Sequence, residues 1–268
     1  MTTLTHRRST DSQVRTLILD GPDASVTLGE EHRESLTTRF KSFVHSQHRR
    51  IDAWTVEQSG QVSRGFLWTP VTARRIVGNA ALRRVLHQTA PSLIDAVHDE
   101  VTDHLLRAAA GYARPGSLSH WLSGQGPAVL GLVTADSLNW ATDIVEATQR
   151  LEEVWHVAAN DVYYDVAGAR TTLRARRDLV VERGPDRVIL RFRGGSPGKS
   201  AGPGLRADLI IETLAHPDGV APLRIIGLWP EAGVCLAVDG TIGDLRAGAR
   251  DLVRTAAAQE RYRVDLAA

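Results

Sequence analysis

The chain has almost no cysteine: Cys235 is the single one in 268 residues. No internal disulfide is possible, and a reducing, cytoplasmic setting is the default expectation. Aromatic residues make up only 5% of the chain, and six of them are tryptophans. Nothing spaces Trp54, Trp68, Trp121, Trp140, Trp155 and Trp229 as a base-stacking platform, so core or interface positions are expected for most. No apolar run reaches the roughly 18 residues that a membrane-spanning helix needs. Residues Met1 to Asp11 carry His6, Arg7 and Arg8 with no apolar stretch behind them, so no secretory leader is expected. Net charge is nearly absent too, at +1 from 32 basic and 31 acidic residues, so no global field draws the chain to nucleic acid or anionic lipid. Lysine is the last scarcity. Only Lys41 and Lys199 occur, and every other basic residue is arginine. A coding bias accounts for such a skew, yet a planar guanidinium suits phosphate whatever put it there.

What is present describes a folded chain, 43% hydrophobic and 24% charged. The length suits one large domain or two small ones. A strand is expected over Val14–Leu19, then a helix over about 30–49 with Leu36, Phe40, Phe43 and Val44 on one face. Pro70 suits the first turn of a helix running to about Gln88. Ser92 opens another helix that ends by Gly111, with Leu93, Val97, Val101, Leu105 and Leu106 as its buried stripe. A Gly/Pro/Ser-rich link, 115–127, leads to a helix over about 137–154. Beyond it the texture turns to strands: Val162–Val166, Thr172–Val181 and Arg187–Arg193, with a hairpin signal at Arg183-Gly184-Pro185-Asp186. A loop over 194–204, a helix over 205–215, a continuous apolar strand 223–229, an edge strand 234–238 and a helix over about 242–259 complete the chain. The fold class is therefore α/β (α+β), with a mostly helical N-terminal half.

The order helix, three strands, helix, strand resembles the αβββαβ, restriction-endonuclease-like core of the PD-(D/E)XK nuclease superfamily, in particular its RecB-like branch. The resemblance spans about Phe66 to Ala258. It implies a helical extension over 1–65 and a nuclease-like domain over 66–268, helical to 155 and sheet-containing from 156. The segment Leu173 to Val181, with Asp178, looks like the strand that ends in a metal-binding aspartate. Val188 to Gly195 looks like the strand carrying the second acid and the lysine, and Ala73 to Leu82 looks like the helix that supplies a histidine. Family members hold a divalent ion with such carboxylates and imidazole, and the ion generates hydroxide and polarises phosphate.

Carried over position by position, Asp178 keeps the first acid. Arg191 stands for the second acid, Arg193 for the lysine and Asn79 for the histidine. The glutamine and tyrosine implied after Leu205 are missing as well. Fixed positive charge at ~4–5 Å from a divalent site costs a few kcal/mol even at a screened dielectric. The resemblance thus implies a nuclease fold without nuclease chemistry and without a cofactor. Magnesium or manganese would enter only if Glu182, Glu212 or Asp208 replaced the missing acid. An Asp178–Arg191 or Asp178–Arg193 ion pair is the structural alternative to a metal. The functional alternative is a set of phosphate-gripping cations, Arg174, Arg176, Arg191, Arg193 and Lys199, in a cytoplasmic protein that binds DNA or a DNA-processing partner. Two other readings are a non-catalytic protein-interaction scaffold and a working metal-dependent deoxyribonuclease.

Other motifs carry less. Gly194 to Ser200 nearly spells a P-loop, but only three residues separate Gly194 from Gly198-Lys199. His98 and His104 are six positions apart, on different faces of a helix, so a solvated polar side is expected there rather than a metal site. His32, His45 and His48 are read as surface residues. Ser117 to His120 lacks the G-x-S-x-G elbow of a hydrolase.

Overall fold

The computed structural model describes residues 2–4, 16–18, 22, 24–41, 49–57, 68–86, 88–148, 155–156, 161–166, 168, 170–183 and 186–267. In chain order the elements are β1 (Thr2–Leu4), α1 (Glu30–Lys41), β2 (Arg49–Asp52), α2 (Ala53–Glu57), α3 (Pro70–Leu86), α4 (Leu93–Ala109), α5 (Leu118–Ser123), α6 (Pro127–Thr148), β3 (Trp155–His156), β4 (Val162–Val166), β5 (Thr171–Ala175), β6 (Leu179–Arg183), β7 (Asp186–Phe192), α7 (Ala201–Ala215), β8 (Arg224–Trp229), β9 (Val234–Asp239) and α8 (Ile242–Ala267). The chain is a mixed α+β protein of two compact units. Residues 64–149 make one, and residues 1–63 join 150–268 to make the other. The first 63 residues therefore belong with the sheets, which differs from a boundary at 65/66 with everything after it in one domain.

The helical unit is built from α3 to α6. Thr69 and Thr72 exchange amide-to-hydroxyl hydrogen bonds of 2.8 and 3.2 Å ahead of α3, a reciprocal cap with Pro70 just inside it. Ser92 caps α4 by accepting from the Asp95 amide at 3.1 Å. Ala96, Val97 and Val101 are buried along α4, whereas Leu106, expected in that stripe, is 60% exposed. The Gly/Pro/Ser-rich link contains the short helix α5. The following helix starts at Pro127, a full two turns and more before Ser137. Helices α3 and α6 meet at Gly78, where a Cβ would come within 2.6 Å of Trp140 Cδ1.

The sheet unit holds two sheets. The larger runs β1-β9-β8-β7-β6-β3 and the smaller β2-β5-β4. Among the described residues of the larger sheet, only β7 and β8 pair in parallel, and α7 is the crossover between them. In the smaller, β2 lies parallel to β5. Helix α7 packs against strands of both sheets and against α2 and α8. Its buried set includes Leu205, Leu209, Ile210, Ile211 and Leu214, apolar nearly all round, as a helix enclosed on every side requires. β8 is buried at every position, on both faces.

Several expectations change. The single strand 172–181 is two strands, β5 and β6, in different sheets, and the chain crosses between them at 176–178. Val162–Val166 joins the smaller sheet, and β3 takes the place beside β6. Residues 16–18 are helical rather than part of a strand, and the rest of 14–19 lies outside the described residues. α1 ends by Lys41, and Arg49 is already in β2; Phe43, Val44, His45 and His48 lie outside the described residues. β9 is flanked by β1 rather than forming a bare edge, because Thr2–Leu4 pairs with Cys235–Ala237. α7 begins at Ala201, and α8 continues to Ala267.

Candidate functional site

Asp178 closes the crossing from the smaller sheet to the larger. Its amide donates to the Leu190 carbonyl at 3.3 Å. Its Oδ2 accepts from the Phe192 amide at 2.9 Å and from Arg191 Nε at 3.3 Å. A carboxylate thus continues the β6–β7 ladder one step beyond the strand. Arg191 sits near the end of β7 and is only 4% exposed. Its Nη1 donates to Asp208 Oδ2 at 2.6 Å and to the Arg176 carbonyl at 2.8 Å. Arg193 keeps the strand pairing, its amide 2.8 Å from the Leu228 carbonyl. By the two-residue period of a strand it shares a face with Arg191. Its Nη2 donates to Glu57 Oε1 at 2.6 Å. Gly204 on α7 makes room for that carboxylate, since a Cβ there would lie 2.0 Å from Glu57 Oε1.

One turn along α7 from Asp208, Glu212 is fully buried and accepts both arms of Arg177, at 2.8 and 2.6 Å. Arg187 Nη1 stands 3.9 Å from the same carboxylate. Four carboxylates therefore face four guanidiniums in the interior, the pairing that buried charge requires. Burial, only partly offset by Arg191 and Arg193, pushes the Asp208 carboxyl up to about 6. Burial likewise raises Glu57 against the pull of Arg193 and Arg191. Desolvation works against the Arg191 charge, but Asp208 and Asp178 outweigh it and hold the guanidinium more firmly protonated than usual.

Of the residues singled out from sequence, Asp178, Arg191 and Arg193 come together here. Asn79 does not join them: it lies in the helical unit, where its Oδ1 accepts from Trp140 Nε1 at 2.8 Å. Arg174 belongs to β5, in the smaller sheet, and donates to Asp161 from Nε at 2.8 Å. It therefore shares no strand face with Asp178. Arg176 lies past the end of β5 and holds Arg191 through its carbonyl. Lys199 is exposed in the turn before α7. Glu57, Arg177 and Arg187 were not anticipated. Two acids four apart on a mostly apolar helix, Asp208 and Glu212, are the legible signal that α7 carries buried charge; Glu57 comes from far away in sequence and leaves none.

The divalent ion held by members of the family that the chain resembles does not fit these residues. The Arg191 guanidinium bridges Asp178 and Asp208, and Arg177 holds Glu212, so the retained acid and two of its three candidate partners already have a cation. Among the described residues, no group of three or more His, Cys, Asp and Glu side chains could hold a metal ion. Glu182 is exposed on β6 opposite Arg187. Comparison with protein-family models, curated proteins and solved structures finds no match.

The helical unit holds a second polar cluster. His104 is buried rather than solvated, its Nδ1 2.7 Å from Ser119 Oγ and its Nε2 3.4 Å from Glu100. Arg84 Nε donates to Glu100 at 3.1 Å. Burial opposes the Glu100 charge, but His104 and Arg84 prevail and lower its pKa. Ser119 is itself 7% exposed, so its contact with His104 ties α4 to α5 from within.

Proposed function

We propose that this chain is a non-hydrolytic relative of the RecB-like PD-(D/E)XK nucleases that binds DNA without a metal. The observation that carries the reading is the Arg191 guanidinium lying between Asp178 and Asp208, where a nuclease of this kind would hold its ion. Strand succession supports the fold assignment. From β3 onward the larger sheet takes β3, β6, β7 and β8 in chain order, with α7 as the crossover between β7 and β8 and with β4 and β5 diverted into the smaller sheet. Since Arg174, Arg191 and Arg193 are committed to carboxylates, the DNA-facing element is the loop 194–200. Lys199 is exposed there, and Ser200 opens α7 without a side-chain cap. A lysine beside a helix N-terminus suits a phosphate but reads no sequence.

Fluorescence anisotropy with labelled duplex and single-stranded DNA, in EDTA and in manganese and across a salt series, tests this. Salt-sensitive binding equal in both, intact DNA, and weaker binding by Lys199→Glu are expected. Metal-dependent fragments would reject the inactive reading. Absence of binding would favour a protein-interaction scaffold. A partner would then be sought first at the groove of about 380 Å³ between α4 and α6, where Ile94 is 55% exposed.

A further inference from the structure

Within the sheet unit, α1 and α8 flank a half-open cavity of about 320 Å³ that none of the network's residues lines. Its floor is aliphatic, with Leu36 from α1, Ile210 from α7, and Leu245 and Val253 from α8. No phenyl, phenol or indole ring and no side-chain amide lies among its lining residues, and the one imidazole, His32, is exposed on α1, so the floor offers the buried part of a ligand neither a stacking partner nor a base-reading edge. The rim is of the opposite character. Arg246 and Arg250 stand one helical turn apart on α8, both exposed. Arg39 lines the cavity from α1. No carboxylate lines the cavity among the described residues. Like charges four residues apart on a helix repel and weaken it slightly, so this spacing serves stability poorly and an oxyanion well.

We propose that this groove binds a single aliphatic chain ending in an oxyanion, the chain on the Leu36–Ile210–Val253 floor and the head between Arg246 and Arg250. The volume lies near the bottom of the range for ligand sites, roughly 300–1,000 Å³, which suits one short chain. The site is independent of the DNA reading, because Lys199 and the loop before α7 take no part in it.

Isothermal titration of the full-length protein tests it with octanoate, decanoate and decyl phosphate below their aggregation concentrations. Acetate and decyltrimethylammonium serve as controls for head alone and for inverted charge. Saturable binding of decanoate or decyl phosphate is expected, with decanoate roughly fifteenfold tighter than octanoate, since each of the two added methylenes contributes about fourfold when buried. The double substitution Arg246→Glu with Arg250→Glu, on exposed positions, should weaken binding at least tenfold with the circular dichroism spectrum unchanged. Ala249→Phe, which fills the groove, should abolish it. Equal affinity of the double variant and the native chain, binding of the ammonium amphiphile as tight as that of decanoate, or no binding of any oxyanion probe would each overturn the proposal. None of these outcomes bears on whether DNA binds.

Discussion

Arg191 donates to two carboxylates and a carbonyl from a position that water does not reach, and this decides how the interior responds to substitution. Arg191→Met would leave Asp178 and Asp208 facing each other without their shared cation. Breaking such a buried arrangement costs on the order of 3–5 kcal/mol, expected as a lower urea midpoint for the variant. A midpoint within experimental error of the native chain would reject the structural role given to Arg191. Asp208 brings a pH dependence with a definite sign. Its folded-state pKa near 6 lies above the ordinary carboxyl value, so between about pH 6 and 4 the folded chain binds a proton that the unfolded chain does not. Its contribution to stability is fully present below the unfolded pKa and is lost as pH rises through 6. The native urea midpoint should thus rise on going from pH 7 to pH 5. Asp208→Asn keeps an acceptor for Arg191 and should show a smaller rise; an equal rise in both would assign the effect elsewhere.

Elements differ in how plainly their sequences announced them. β7 and β8 were legible because Val188-Ile189-Leu190 and Ile225-Ile226 leave no other economical conformation for so apolar a run. The β5/β6 break was not, because Arg176-Arg177-Asp178 contains neither glycine nor proline, and only the two sheets being separate shows where one strand stops. β2, with the polar sequence Arg49-Arg50-Ile51-Asp52, is a strand because β5 offers it an edge. The α7–α8 contact depends on Gly248, where a Cβ would lie 2.3 Å from the Arg206 carbonyl oxygen. Gly248→Ala should therefore cost about 1–3 kcal/mol by overpacking. Gly243→Ala, on the same helix with only an ordinary contact at 3.7 Å, should be neutral or stabilising by a few tenths. Thermal unfolding of the two variants separates these outcomes, and equal melting temperatures would contradict the packing.

At the scale of the whole molecule, the sheet unit is discontinuous in sequence. β1 pairs with β9 and β2 with β5, so residues from both sides of 64–149 must assemble before that unit is complete. The helical unit has its own apolar core, around Ala73, Val77, Val97, Leu122 and Val133. Residues 64–149 expressed alone should accordingly unfold cooperatively with helical circular dichroism, whereas a featureless, non-cooperative melt would show that the core is insufficient by itself. A chain lacking residues 1–57 should lose cooperative folding of the sheet unit, because it loses the strand beside β5 and the carboxylate beside Arg193.

The sequence by itself determined the helical character of the first half, the apolar strands of the second and the absence of an internal disulfide. All of these follow from local periodicity and residue type, which act over a few positions. Tertiary structure alone decided that the second strand divides between two sheets, that Asn79 serves Trp140, and that Glu57 joins Arg193. It also decided that α1 and α8 enclose a cavity with an arginine rim. Each of these depends on residues distant in sequence finding a common low-dielectric space, and neither propensity nor spacing records that pairing.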